Sequence, residues 1–323
     1  MRGDKLINPL PLFDPHMGET LVEPLGRGPG WWAGAPSVLY DHRENVFYLY
    51  YRLRKPRGMG RGFHCIIAKS RDGRRFEPVW EASREDFDSP SIERGTLLIT
   101  PERKHRLYLS YVDGESGKWR IDLLEADSFE KLNPHDRKKV LVPQDIGAEG
   151  VKDPVVIMIG RAYFMAVAYA VADVPEDCRD RLHATFDVHA TGLAKTHTGI
   201  AVSHDGVRFQ WLGEALAPGE GRWDAYTVRL TALLPAPPAF LVFYDGCQTV
   251  KENYEERTGM AITFDLLHYN KLTPDGPILV SPHASGSLRY VDVVPHDNAL
   301  YFYYEYARED GAHELRVSVV PRS

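Results

Sequence analysis

The residues of this chain best placed to do chemistry are acids set at the heads of apolar runs. Asp153 opens Asp153-Pro154-Val155-Val156, Glu93 lies within SPSIERGTLLI, Asp292 within LRYVDVVPHD, and Asp224 within Arg222-Trp223-Asp224. Carboxylates gathered in one cavity push their pKa values apart, so one can hold a proton while its neighbour stays ionised. Cleavage of a glycosidic bond needs that division: an acid for the leaving oxygen, and a carboxylate to attack or to activate water. Whether these acids meet depends on the elements that carry them.

The opening phrase recurs. Ala35-Pro36-Ser37-Val38, Ser89-Pro90-Ser91-Ile92 and Asp153-Pro154-Val155-Val156 each lead into an apolar run, a turn and a Tyr/Phe-rich run. Repetition of this kind marks one supersecondary unit used several times. Strand signals dominate (NVFYLYYRL, HRLYLSYV, AYFMAVAYA, AFLVFYDG, ALYFYYEYA) and no long stretch has a helical period. The best helical candidate, Asp173–His183, is short and carries a proline. IIAKSRDGRRFEPV and GIAVSHDGVRFQWL share a tight Asp-Gly turn before an outer strand.

Five such units predict an all-β fold: a five-bladed β-propeller, with antiparallel blades around a central channel. Residues 1–323 form one domain in this reading, with blades at approximately 31–87, 88–148, 149–217, 222–282 and 284–321. Residues 1–30 form an N-terminal segment that closes the ring by supplying the outer strand of the fifth unit. A β-sandwich is the alternative, and the regular phrase speaks against it.

Aligned on that phrase, the inner strands begin at Ala35, Ser89, Asp153, Ala225 and Leu288. Four residues later come Leu39, Glu93, Ile157, Arg229 and Asp292, on the same face because strand side chains alternate. Asp153 is then expected near the channel mouth, with Glu93, Arg229 and Asp292 deeper and Asp88 and Asp224 at the rim. The expected catalytic set is Asp153, Glu93 and Asp224. The expected substrate-binding set is Trp32, Asp88, Arg229, Arg289, Tyr290, Asp292 and Arg57. Several have a structural alternative: an ion-pair network closing the channel for Glu93, Arg229 and Asp292, an Asp-Pro turn for Asp153, rim solvation for Asp88 and Asp224.

The loops on that face add cations and aromatics. RLRKPRGMGRGF carries Arg52, Arg54, Lys55, Arg57 and Arg61, which could hold an anion or simply form a solvated hairpin. Trp31 and Trp32 suit either sugar stacking or core packing. An insertion from about Ala170 to His197 carries His183, His189 and His197 at a spacing that matches no metal motif. Neither a metal nor an organic cofactor is expected. Gly26, Gly28 and Gly30 follow no strand and open no helix, so they are not a dinucleotide fingerprint.

A net charge of −6 argues against nucleic acid or an anionic membrane as the main partner. Three scattered cysteines, Cys65, Cys178 and Cys247, favour a reducing compartment over a disulfide framework. No apolar run is long enough for a signal peptide or a membrane span, so a cytoplasmic location is expected.

Val151-Lys152-Asp153-Pro154 followed by VVIMIGRAYFMAVAY, within the five-unit pattern, resembles the propeller glycoside hydrolases of families 43, 32, 62, 68 and 130. In families 43 and 32 a comparable third-blade aspartate tunes the acid and orients substrate. In family 130 a Glu-Asp-Pro-Arg motif supplies the proton donor. Here Lys152 replaces the Glu and Val155 the Arg. The first-blade base of families 43 and 32 falls at Ala35, leaving Glu93 or Asp14 to replace it, and Asp224 is the nearest match to the fourth-blade acid. The resemblance implies a divergent glycosidase acting on a small or non-reducing-end glycoside. The alternatives are a family-130-like phosphorylase and a non-catalytic carbohydrate-binding propeller.

Overall fold

A computed structural model describes residues 12–172, 174–175 and 178–322; Asp173, Glu176 and Asp177 of the helical candidate and residues 1–11 of the N-terminal segment lie outside them. The described residues are almost entirely β. One short helix, α1 (Arg179–His183), lies in the third-unit insertion.

The strands pair antiparallel in sets of four. The first set is β2 (Trp32–Asp41), β3 (Val46–Arg54), β4 (Gly62–Ser70) and β5 (Glu77–Ser83). The second is β6 (Ile92–Ile99), β7 (His105–Val112), β8 (Trp119–Ala126) and β9 (Lys138–Leu141). The third is β10 (Val151–Ile159), β11 (Ala162–Val171), β12 (Lys195–Ser203) and β13 (Gln210–Leu216). The fourth is β14 (Thr227–Ala236), β15 (Ala239–Cys247), β16 (Arg257–Thr263) and β17 (Tyr269–Lys271). The last is β18 (Leu288–His296), β19 (Ala299–Ala307) and β20 (His313–Pro321), whose outer partner β1 (Glu19–Val22) comes from the other end of the chain.

The strand sequences follow from burial. The second strand of each set is covered on both faces, so β3 and β7 read as continuous apolar and aromatic runs. The outer strand β13 has one wet face and alternates. The shared Asp-Gly turns form as their residues require. Asp72 and Asp205 accept backbone N–H groups two and three residues on, and Gly73 and Gly206 take φ near +70°. Each turn docks on a neighbouring set: the Tyr303 hydroxyl donates to the Gly73 carbonyl and that of Tyr108 to the Gly206 carbonyl.

Apolar clusters lie between consecutive sets. Tyr50 and Ile67 pack with Leu107 and Leu109, Ile121 with Met165, Ile200 with Val242, Phe243 with Phe302, and Tyr303 with Leu49. The innermost strands pack in the same order, β2 on β6, β6 on β10, β10 on β14, β14 on β18 and β18 on β2. Their leading halves converge on one polar centre.

Candidate active site

A bulge in four of the five inner strands aims the chemistry. Register shifts fall after Gly34, Ile92, Lys152 and Arg289, so Ala35, Glu93, Asp153 and Tyr290 each open a bulge. Ala35, Asp153 and Tyr290 adopt φ of 52°, 53° and 55°. Bulges re-aim side chains and recur beside active sites. The alignment on the Pro-containing phrase is therefore corrected. The second-unit counterpart of Asp153 is Glu93, not Ser89, because Ser89-Pro90 precedes β6 and the fold aligns bulges, which leave no fixed sequence mark. Glu93 and Asp153 stand at one level rather than four residues apart in depth.

These side chains enter a closed circuit of alternating charge. Arg52 Nε donates to Glu93 Oε2 at 2.9 Å, and Arg52 Nη2 lies 3.3 Å from Glu305 Oε2. Arg289 bonds Glu305 and Glu256, each at 2.6 Å. Arg229 lies 3.6 Å from Glu256 and donates to Asp153 Oδ2 at 3.2 Å and to Asp245 at 2.7 Å. The Tyr290 hydroxyl completes the circuit, 3.4 Å from both Glu93 Oε2 and Asp153 Oδ2. Arg54 bonds Glu93 Oε1 at 3.0 Å, and Lys152 Nζ stands 3.6 Å from Asp153. Every member of the circuit is at most 2% exposed, and Arg54 and Lys152 beside it at most 5%.

Burial and pairing compete at each acid. Burial would raise the Glu93 carboxyl, but Arg52 and Arg54 outweigh it and hold it at about 2. Glu256 is likewise held at about 2 against burial by Arg229 and Arg289. Arg229 serves several carboxylates at once, so Asp245 is left incompletely compensated and burial lifts it to about 6. Asp153 Oδ1 is buried without a hydrogen-bond partner.

The insertion reaches the same neighbourhood. Asp187 accepts from Trp119 Nε1 at 3.3 Å and from the Tyr254 hydroxyl, and pairs with Arg61 at 3.4 Å. Burial opposes its charge, yet Arg61 and Lys152 hold its carboxyl well below the usual range. Tyr254 lies over the Arg54 guanidinium at 4.5 Å, and Trp32 lies 4.6 Å from it.

The sequence-derived candidates separate into members of this centre and bystanders. Asp153, Glu93, Arg229, Arg289 and Tyr290 meet in the circuit. Trp32 borders it, buried and stacked on His313 at 4.8 Å with guanidiniums of Arg54 and Arg289 nearby, so its ring faces are already engaged. Arg57 is exposed at the rim, 5.6 Å from the Tyr254 ring. Asp224 is buried elsewhere, held by Lys271 and the Tyr244 hydroxyl. The Asp88 side chain is 91% exposed, and Asp14 caps the turn at Pro15–Met17. Asp292 lies beyond the bulge, accepting from Val38 N at 2.8 Å, beside a cavity of about 120 Å³ that Arg94 and Thr96 also line. His183, His189 and His197 go to three different partners, Glu149, Thr196 and Glu214.

Asp245, Glu256, Glu305 and His313 escaped sequence reasoning. Three members of the centre had a readable signal. NVFYLYYRL, AFLVFYDG and ALYFYYEYA each end an apolar run with one charge, Arg52, Asp245 and Glu305. Across the ladder Arg52 and Glu305 pair with Gly34 and Arg289, immediately before a bulge, and Asp245 pairs with Arg229, one residue short of the register shift that follows Leu230.

No protein-family model matches this chain, and no curated protein matches it. Solved structures do. The chain is similar to BT0996 in its complex with RGII (TM-score 0.68, 13% identity, covering 94% of this chain and 92% of that one). It is similar to the β-1,2-mannobiose phosphorylase from Listeria innocua (TM-score 0.64, 15% identity, 94% of each chain). It is also similar to the GH43_1 enzyme from Xanthomonas citri complexed with xylotriose (TM-score 0.62, 10% identity, 94% of this chain and 90% of that one). The chain has the all-β, propeller-type fold of these glycoside hydrolase and phosphorylase structures, at a low identity that marks it as divergent.

Proposed function

We propose that this chain is a carbohydrate-active enzyme on a five-bladed propeller, a glycosidase in which Glu93 and Asp153 are the working carboxylates. Ring closure is supported by the cyclic packing of the inner strands and the pairing of β1 with β20. The observation that carries the catalytic reading is the placement of these two acids, the acidic bulge residues, across one tyrosine hydroxyl. Their nearest oxygens are each 3.4 Å from that hydroxyl, hence no further apart than twice that distance. That limit accommodates the double-displacement arrangement, with carboxyls about 5–5.5 Å apart, and this is the arrangement we adopt.

Glu93, ionised and oriented by two guanidiniums, attacks the anomeric carbon. Asp153 delivers a proton to the leaving oxygen, then takes one from the water that hydrolyses the glycosyl ester. Arg229 and Arg289 frame the substrate, a small or terminal glycoside. Glu93 thereby replaces the base missing at Ala35, and Asp224 has no part.

The test is a screen of aryl glycosides and oligosaccharides with wild type, Glu93→Gln and Asp153→Asn. Turnover by wild type should fall at least about 100-fold in each variant. Folded variants that hydrolyse at the wild-type rate would refute the assignment. A second reading, phosphorolysis, is supported by buried guanidinium nitrogens without acceptors on Arg52 and Arg54 and by the phosphorylase among the similar structures. It requires turnover to depend on inorganic phosphate, so the screen is run with and without it.

A further inference from the structure

We propose that Tyr290 is a positioning residue that passes one hydrogen bond between Glu93 and Asp153, following the negative charge as it moves during the reaction. This rests on the two-carboxylate reading above.

The hydroxyl has one proton and two acceptors, Glu93 Oε2 and Asp153 Oδ2, both at 3.4 Å. It can serve one at a time. The two-carboxylate reading has the reaction start with Glu93 ionised and the proton on Asp153. When Glu93 oxygen bonds the anomeric carbon and the glycosidic C–O bond breaks, Glu93 becomes a neutral ester. The Asp153 proton leaves with the departing oxygen, and Asp153 becomes the carboxylate. The Tyr290 hydroxyl then turns to Asp153. Hydrolysis reverses this: Asp153 takes a proton from water, the water oxygen bonds the anomeric carbon, the ester C–O bond breaks, and Glu93 regains its charge. Tyr290 loses no proton at any stage. Hydrogen bonds to charged groups are the strong ones, so a donor that tracks the charge lowers both barriers.

The surroundings hold the phenol still while leaving its hydroxyl a choice. Tyr290 N donates to both oxygens of Asp245 on β15, at 3.1 and 3.0 Å. Guanidiniums face the ring from four strands: Arg229 of β14 at 4.0 Å, Arg289 of β18 at 5.1 Å, Arg94 of β6 at 5.9 Å and Arg52 of β3 at 6.0 Å. Lys152 of β10 stands beside Asp153, and Arg54 of β3 beside Glu93. Burial raises the phenol well above its ordinary range, so it stays a donor throughout.

Tyr290→Phe keeps the ring in its cage and removes only the hydroxyl. On an aryl glycoside that wild type hydrolyses, kcat should fall about 10- to 100-fold with KM within about twofold. The acid limb of the kcat/KM profile should move to higher pH, because a carboxylate losing a donor becomes harder to ionise. In a Glu93→Gln background the same change should cost much less, since one of its two acceptors is neutral from the start. A wild-type kcat and acid limb would overturn the proposal. So would a loss of activity matched by a fall in Tm with the acid limb unmoved, or full additivity with Glu93→Gln. Failure of wild type to cleave any glycoside overturns the parent reading and this one with it; the other outcomes overturn this one alone.

Discussion

The two sides of the inner-strand bulge carry acids from the same repeat and treat them in opposite ways. On the leading side, Glu93, Asp153, Asp245, Glu256 and Glu305 are joined through shared guanidiniums, with Arg229 alone contacting three of them. On the far side, Asp292 accepts backbone N–H groups of Val38 and Val293, with Arg94 3.8 Å away. Burial raises Asp292, whereas arginines hold Glu93 and Glu256 down. Burial alone therefore does not distinguish the two sides. Shared counter-charges do, because removing one ion there strands several others.

The largest effect should come from Arg229→Met, which leaves Asp153, Asp245 and Glu256 without their common partner. Loss of one partner from a buried ion pair costs about 3–5 kcal/mol. Urea unfolding should show a fall of that size, and a loss below about 1 kcal/mol would dissolve the contrast between the two sides. The pH dependence of stability comes next. Glu93 and Glu256 titrate at about 2 when folded, against an ordinary value of 4.5. Below 4.5 the unfolded chain takes up protons that the folded one refuses. Their contribution is therefore complete above that pH and is lost as pH falls towards 2. Tm should drop steeply over this window in wild type and less steeply in Glu93→Gln.

Asp224→Asn should produce a smaller change of a different kind. It unpairs Lys271 but leaves the circuit intact, so stability should fall by about 1–3 kcal/mol while kcat/KM stays within about threefold. A hundredfold loss of turnover would move the catalytic pair to Asp224. The smallest effect belongs to Asp292→Asn. The amide oxygen keeps one of the two backbone N–H bonds and loses the other, and relief of a weakly compensated buried charge offsets that loss, so unfolding free energy at neutral pH should change by less than about 1 kcal/mol.

Much of the architecture was legible because strands covered on both faces must be apolar throughout. The aromatic runs at β3, β15 and β19 and the Asp-Gly turns at Asp72 and Asp205 read directly as strands and turns. Asp153 was legible as the one acid among three similar phrases, and Glu93, Arg229, Arg289 and Tyr290 stood out as polar residues on the inner strands. Their alignment was not legible. Ser89-Pro90 imitates Ala35-Pro36 in sequence, yet the bulge that matches Asp153 opens at Glu93. A bulge is a mismatch between two strands, so neither strand records it alone. Asp224 and Asp88 looked like members of the cluster because proximity to an inner strand in sequence does not say which way a loop leaves it.

By itself the sequence determined a repeating β-architecture, the residue types of its strands and turns, and a supply of acids and arginines at strand ends. Those follow from local rules: periodicity, burial and turn chemistry. The tertiary structure alone decided which charges share partners. Arg52, Glu305, Arg289 and Glu256 come from segments up to 253 positions apart in the numbering, 52 to 305, and become neighbours only when the inner strands pack in sequence and the last returns to the first. An ion's cost or benefit in the interior is set by what surrounds it, and those surroundings exist only once the whole chain has folded.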